Sequence, residues 1–139
     1  MSEMESFSSN RAPAPVGAYP HAKRVGNLLF LSGVGPRKPG QTDIPGVTLN
    51  ADGEVTDYDI KAQCESTFEN VRRILEDAGA KWENIVDVTC FLTDMKADFK
   101  AYNESYARHF KDSQPTRTTI EVGALPTPIA FEIKVIAAL

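Results

Sequence analysis

The stretch 114–139, QPTRTTIEVGALPTPIAFEIKVIAAL, holds two β-type runs separated by a break. Arg117, just after Pro115, leads the first run, which continues through the apolar alternation of Ile120 and Val122. Leu125-Pro126-Thr127-Pro128 ends it, because proline fixes φ and has no N–H to give a ladder. In the second run, 129–137, successive side chains point to opposite faces. Phe131, Ile133 and Val135 therefore suit packing under helices, while Glu132, Lys134 and Ile136 form a mixed face turned toward another subunit. A guanidinium opening one strand and a carboxylate, Glu132, in the next make the candidate chemical pair. They meet if the two strands lie side by side or face each other across a subunit contact.

Working outward, Phe99, Tyr102, Asn103, Tyr106 and Phe110 recur at i, i+3, i+4, i+7 and i+11, a helical stripe read as core rather than as a cofactor box. Residues 85–93, IVDVTCFLT, read as a β-branched strand. Over 59–78 the apolar positions Ile60, Cys64, Phe68, Val71, Ile74, Leu75 and Ala78 share one helical face, with Gly79 placed as a C-terminal cap. Residues 34–54, dense in Gly, Pro, Asp and Asn, read as one long loop of the kind that often carries function. Within it Arg37-Lys38, between Pro36 and Pro39, is either a stiffened cationic knuckle or a solvated surface pair. Residues 28–31 form a continuous apolar run, expected to be covered on both faces and closed by Ser32-Gly33. Lys23 to Asn27 read as the hairpin turn before it. Tyr19 either lines a pocket or is a half-buried strand-end tyrosine. Residues 1–15, MSEMESFSSNRAPAP, read as a loose N-terminal arm, and 16–139 as a single domain.

The order is hairpin, helix, strand, helix, two strands: an α+β sheet with two helices on one face. Its other face requires cover, which predicts a homo-oligomer.

Composition limits the function classes. The 139 residues, 42% hydrophobic, make one domain, and a net charge of -4 without a basic stripe disfavours nucleic acid as a partner. The apolar runs are too short for a bilayer span, and no signal-type segment opens the chain, which reads as cytoplasmic without a membrane partner. Cys64 and Cys90 have no CxxC spacing and read as buried free thiols; His21 and His109 are isolated, so no metal site is expected. Nucleotide fingerprints and a Schiff-base lysine context are absent, so no flavin, nicotinamide or pyridoxal cofactor is implied.

Taken together, Pro15-Val16-Gly17-Ala18-Tyr19, Leu31-Ser32-Gly33, Phe68-Glu69-Asn70-Val71, Val88 to Asp94, Tyr102-Asn103-Glu104-Ser105-Tyr106, Pro115 to Val122 and Leu125-Pro126 through Phe131-Glu132-Ile133 resemble the reactive-intermediate (enamine/imine) deaminase family over nearly the whole chain. The resemblance implies a homotrimer of the chorismate-mutase-like, ferredoxin-related fold, with active sites between subunits. It places the carboxylate-binding arginine on Arg117, the water-positioning glutamate on Glu132 and the pocket tyrosine on Tyr19, with Ser32 and Gly33 beside the pocket. The chain departs from the family pattern at Thr118-Thr119, where a cysteine is frequent, at Lys134, where an acid is frequent, and in the expanded 34–54 segment. That segment, with Leu125 to Ala130, is similar to the 2-aminomuconate deaminase branch, which implies a dicarboxylate enamine substrate from aromatic-compound catabolism.

Such a substrate needs a second cation besides Arg117. Arg37 ranks first, ahead of Arg24, Lys134 and His21. Lys134 is expected either to favour the ionised form of Glu132 or to form an interface salt bridge. Asn103 is either a pocket amide or a helix-surface residue, and Arg117 has an ion pair with Glu121 as its structural alternative. Two other functions remain open: a broad 2-aminoacrylate-type deaminase, and a trimeric small-acid-binding regulatory protein without turnover. The ribonuclease role suggested for some relatives is disfavoured by the acidic balance.

Overall fold

The computed structural model describes residues 3–139. A six-stranded sheet has the order β1(Met4–Phe7), β2(Ala22–Val25), β3(Leu28–Leu31), β8(Phe131–Ala138), β6(Ile85–Leu92), β7(Thr116–Glu121). A separate hairpin pairs β4(Val47–Leu49) with β5(Val55–Tyr58). Helix α1(Ile60–Asp77) leads from that hairpin toward β6, and α2(Met95–Phe110) joins β6 to β7, which pairs with it in parallel. Because β3 and β6 are both antiparallel to β8, they run parallel to each other with β8 inserted between them. This is the split β-α-β arrangement of a ferredoxin-related α+β fold.

Local chemistry explains the helix ends. The Asp59 carboxylate accepts from the Ala62 N–H at 3.2 Å, capping α1, and the Asp94 carboxylate does the same for α2 from Ala97 at 3.0 Å. Gly79, at φ +83°, carries the chain out of α1 in the left-handed region that glycine enters at least cost. The aromatic stripe is core: Phe68 meets Trp82, Phe110 and Phe131 edge-on at 5.7–6.2 Å, and Tyr102 is fully buried. Phe99, also on that stripe, is exposed. Cys64 and Cys90 are free and buried. Among the described residues no helix is long and apolar enough to cross a membrane.

The last strand behaves as its alternation predicts: Phe131, Ile133 and Val135 are buried beneath the helices, and Glu132, Lys134 and Ile136 lie on the opposite face. Following the register across the sheet adds Leu28, Phe30, Phe91 and Ile120 to that second face. Leu28, Phe30 and Ile120 are exposed there, so the sheet presents an apolar surface on the side away from its helices.

Four expectations change. Residues 1–15 are not a loose arm where they are described: Met4–Phe7 pairs with β2, Ala12 is buried, and Arg11 binds Asp77 at 2.6 Å. Backbone pairing and the ion pairs of Arg11 with Glu76 and Asp77 hold this segment, and composition registers neither; residues 1 and 2 lie outside the described residues. The 34–54 segment is not wholly loop, since it contains β4 and leads into β5, with Asn50 Oδ1 accepting from Asp52 and Glu54 N–H in the turn at 2.9 Å each. Leu28–Leu31 alternates exposed and buried rather than being covered on both faces. Finally, β7 and β8 are not neighbours; β6 separates them.

Candidate active site

The strand separation decides how the two candidate catalytic residues relate. Arg117 stands opposite Val88, a buried residue of the helix-covered face, whereas Glu132 stands opposite Phe91 on the other face. Within one chain the guanidinium and the carboxylate therefore lie on opposite sides of the sheet. Only the second way of joining them, across a subunit contact, survives.

Of the expected residues, Gly33 is the one the structure places directly against Glu132. Val34 forms a two-bond bridge with Ile133, N–H to carbonyl in both directions at 2.8 and 2.9 Å, which fixes the 32–35 segment beside β8. A β-carbon added at Gly33 would lie 2.7 Å from Glu132 Oε2, so the missing side chain is what lets the carboxylate rest against this backbone. Gly33 lines a cavity of about 30 Å³ together with Tyr19, His21, Ser32, Pro13 and Arg37. The Ser32 hydroxyl donates to the Pro20 carbonyl at 2.8 Å, and the Tyr19 hydroxyl accepts from the Val16 N–H at 3.2 Å. Burial pushes the Glu132 carboxyl above its ordinary value, since partial removal from water disfavours the charged form. Lys134 does not offset this. Its ammonium donates to the Leu31 carbonyl at 2.6 Å, so the expected stabilisation of ionised Glu132 by Lys134 is not found.

Arg117 occupies a second cluster. One of its N–H groups donates to Asn103 Oδ1 at 2.8 Å, and its guanidinium lies over the Tyr106 and Tyr102 rings, 4.5 and 5.5 Å from their centroids. Aromatic faces hold the planar cation by cation–π attraction. Tyr102 is itself tied to Thr119 by a 2.7 Å hydroxyl–hydroxyl bond. The alternative pairing with Glu121 is absent: Glu121 accepts from the Met95 N–H, and a spacing of four along a strand separates the two side chains.

The four possible second cations differ sharply. Arg37 lines the cavity and donates to the Ala14 carbonyl at 2.9 Å. Arg24 turns to the Gly26 carbonyl, away from the cavity lining, and Lys134 is engaged as described. His21 lines the cavity but is committed to backbone: Nδ1 accepts from the Ser9 N–H at 2.8 Å and Nε2 lies 2.8 Å from the Pro13 carbonyl, which requires the neutral Nε2–H tautomer. Among the described residues no three His, Cys, Asp or Glu side chains converge as metal ligands would.

Sequence reasoning missed two buried carboxamides of α1. Gln63 accepts from the Ala130 N–H and donates to the Gly46 carbonyl; Asn70 donates to the Gly35 and Arg37 carbonyls. The available signal was Gln63, Thr67 and Asn70 at i, i+4 and i+7, a polar seam bordering the apolar stripe.

Two helices on one face of a mixed sheet, with a half-buried carboxylate against a glycine on the other face, define a chorismate-mutase-like α+β protein with a candidate site at that carboxylate. A family model described as Endoribonuclease L-PSP matches residues 9–139, and the chain belongs to this family. It is 37% identical over 133 residues to a RutC family protein of Pyrococcus abyssi, across 96% of this chain and 95% of that one. It is 36% identical over 135 residues to Reactive Intermediate Deaminase A, chloroplastic, of Arabidopsis thaliana, across 97% of this chain and 66% of the relative. The crystal structure of E. coli TdcF with bound serine is similar at a TM-score of 0.82 and 31% identity, covering 97% of this chain and 98% of that one. The chain is thus a homologue of a reactive intermediate deaminase, as its motifs imply.

Proposed function

We propose that this protein is a cofactor-free enamine/imine deaminase that converts 2-aminomuconate and water to 4-oxalocrotonate and ammonia. It works as a homotrimer in which Glu132 of one subunit meets Arg117 of its neighbour. The observation that carries this reading is the half-buried Glu132 carboxylate against Gly33, on the apolar face of the sheet, with Arg117 on the other side. A cavity of about 30 Å³ has room for a water and not for a six-carbon acid, so the substrate lies across its mouth, in a cleft a second subunit completes.

Protonation of the enamine carbon gives an iminium whose carbon is electrophilic. Glu132 takes a proton from water as its oxygen bonds to that carbon. The carbinolamine then collapses: Glu132 returns its proton to the nitrogen, the C–N bond breaks as ammonia leaves, and the hydroxyl proton passes to solvent as the carbonyl forms, replacing the solvent proton taken up at the enamine carbon. Its raised affinity for protons suits this shuttling. Arg117, preset by Asn103 and the two tyrosines, takes the carboxylate beside the reacting carbon with two parallel N–H bonds. Tyr19 and Ser32 border the water, and Arg37 takes the distal carboxylate.

Release of ammonia from enzymatically generated 2-aminomuconate and from 2-aminoacrylate tests the assignment. We expect the dicarboxylate to be preferred, and Arg37→Ala to reduce the ratio of the two kcat/KM values by about ten- to a hundredfold, as loss of one charge-assisted contact of ~1.5 to 3 kcal/mol requires. Turnover of 2-aminoacrylate alone would favour the broader deaminase, the reading that the serine-bound relative supports; no release from either would favour a binding protein. Gly33→Ala is expected to fold, because the atom it displaces ends a flexible side chain. It should lower kcat about ten- to a hundredfold by moving the Glu132 carboxylate.

A further inference from the structure

We propose that Asn70 is the positioning residue that fixes Arg37, and through it the preference for a substrate with two carboxylates. The inference rests on Arg37 receiving the distal carboxylate.

Asn70 sits in α1 with 1% of its surface exposed, where an amide is retained only if its polar atoms are satisfied. Its Nδ2 carries two hydrogens, and both are used on one segment: 2.9 Å to the Gly35 carbonyl and 2.6 Å to the Arg37 carbonyl. The two acceptors bracket Pro36, whose fixed φ leaves the segment between them little freedom. Ser66, one turn earlier on α1, donates to the Pro36 carbonyl at 2.8 Å, so three successive carbonyls are held by one helix. The same segment is anchored on its other side by the Val34–Ile133 bridge, next to Glu132. Helix α1 thereby sets the distance from the catalytic carboxylate to the Arg37 backbone.

The Arg37 side chain is less constrained than its backbone. It makes one hydrogen bond, to Ala14, and no ion pair among the described residues. Its guanidinium is a cation still open to an anionic ligand, placed beside the cavity by a main chain that Asn70 holds. Losing both donors frees two part-buried carbonyls, and the segment relaxes to find other partners. A shift of about 1 Å in a group that must meet a fixed substrate is enough to reduce its contribution by one to two orders of magnitude.

The test compares wild type, Asn70→Leu, Arg37→Ala and the double variant on 2-aminomuconate and 2-aminoacrylate. Asn70→Leu keeps the branched shape and removes both donors; Asn70→Ser, which keeps one short donor, serves if the leucine variant does not fold. We expect Asn70→Leu to raise KM for the dicarboxylate about tenfold or more relative to the monocarboxylate, with kcat changed far less. In the Arg37→Ala background it should change that ratio no further. Equal losses on both substrates, or a change of ratio that persists without Arg37, would overturn the proposal. If Arg37→Ala itself leaves the ratio unchanged, the assignment of the distal carboxylate fails first, and the role of Asn70 fails with it.

Discussion

Glu132→Gln is expected to fold and assemble normally and to lose about 10²- to 10⁴-fold in kcat, the range that a positioned proton shuttle supplies. The amide keeps the shape that rests against Gly33 but cannot accept a proton from water. Substrate binding, set by the arginines, changes little, so the loss falls on kcat rather than KM. Stability moves the other way. Burial raises the proton affinity of folded Glu132, so its contribution to stability is fully present below the ordinary carboxyl value of 4.5 and is lost as pH rises through the higher folded value. At neutral pH the wild type therefore carries a desolvated charge that the amide lacks. Thermal unfolding should show the variant at least as stable as wild type at pH 7, with the difference closing as pH falls below the carboxyl range. For the same reason the acid limb of the wild-type kcat/KM profile is expected above that of an ordinary glutamate. A variant less stable at pH 7 than at pH 4, relative to wild type, would show that the carboxylate is favourably paired and not desolvated.

Arg117→Ala is expected to lower kcat/KM by about a hundredfold or more, because the carboxylate nearest the reacting carbon loses a two-point partner. Arg117→Lys should recover only part of this. Lysine keeps the charge but has neither the fork nor the planar face that lies over Tyr106, 4.5 Å from its centroid. The Asn103 bond makes a further distinction: Asn103→Ala leaves the cation in place and frees its orientation, so its effect should be smaller than that of either arginine variant. Full recovery in the lysine variant would mean that charge alone matters, and no recovery over alanine that the fork is indispensable.

Much of this was legible in the residues, for reasons specific to each element. The helix at Ile60–Asp77 announces itself through an apolar period and a terminal glycine, both local signals. The two faces of Phe131–Ala138 follow from strict alternation. By contrast Met4–Phe7 carries no alternation, because its place in the sheet comes from backbone bonds to β2 that any sequence can make. Strand order was also hidden: consecutive strands usually pair, and here β6 intervenes between β7 and β8 through contacts that no local pattern encodes. Tyr19, Ser32, Gly33 and Arg37 line one cavity, and of these Gly33 also touches Glu132, which is not itself part of the lining. Asn70 went unread because a buried amide and a surface amide look alike until the carbonyls of Gly35 and Arg37 are seen against it. Of the two roles open to Lys134, support of ionised Glu132 is not found, because sharing a face with Glu132 says nothing about a nearer acceptor, the Leu31 carbonyl.

The opposite faces of Arg117 and Glu132 lead to the most direct test, a mixture of two inactive proteins. Glu132→Gln and Arg117→Ala subunits, co-expressed with different tags and purified as mixed oligomers, would regenerate complete sites wherever an intact Glu132 adjoins an intact Arg117. In a ring of three head-to-tail contacts, every mixed oligomer regains about one complete site in three. Recovery of ammonia release near that level, absent from either parent, is the predicted result. Mixed oligomers as inactive as their parents would contradict a site shared between subunits.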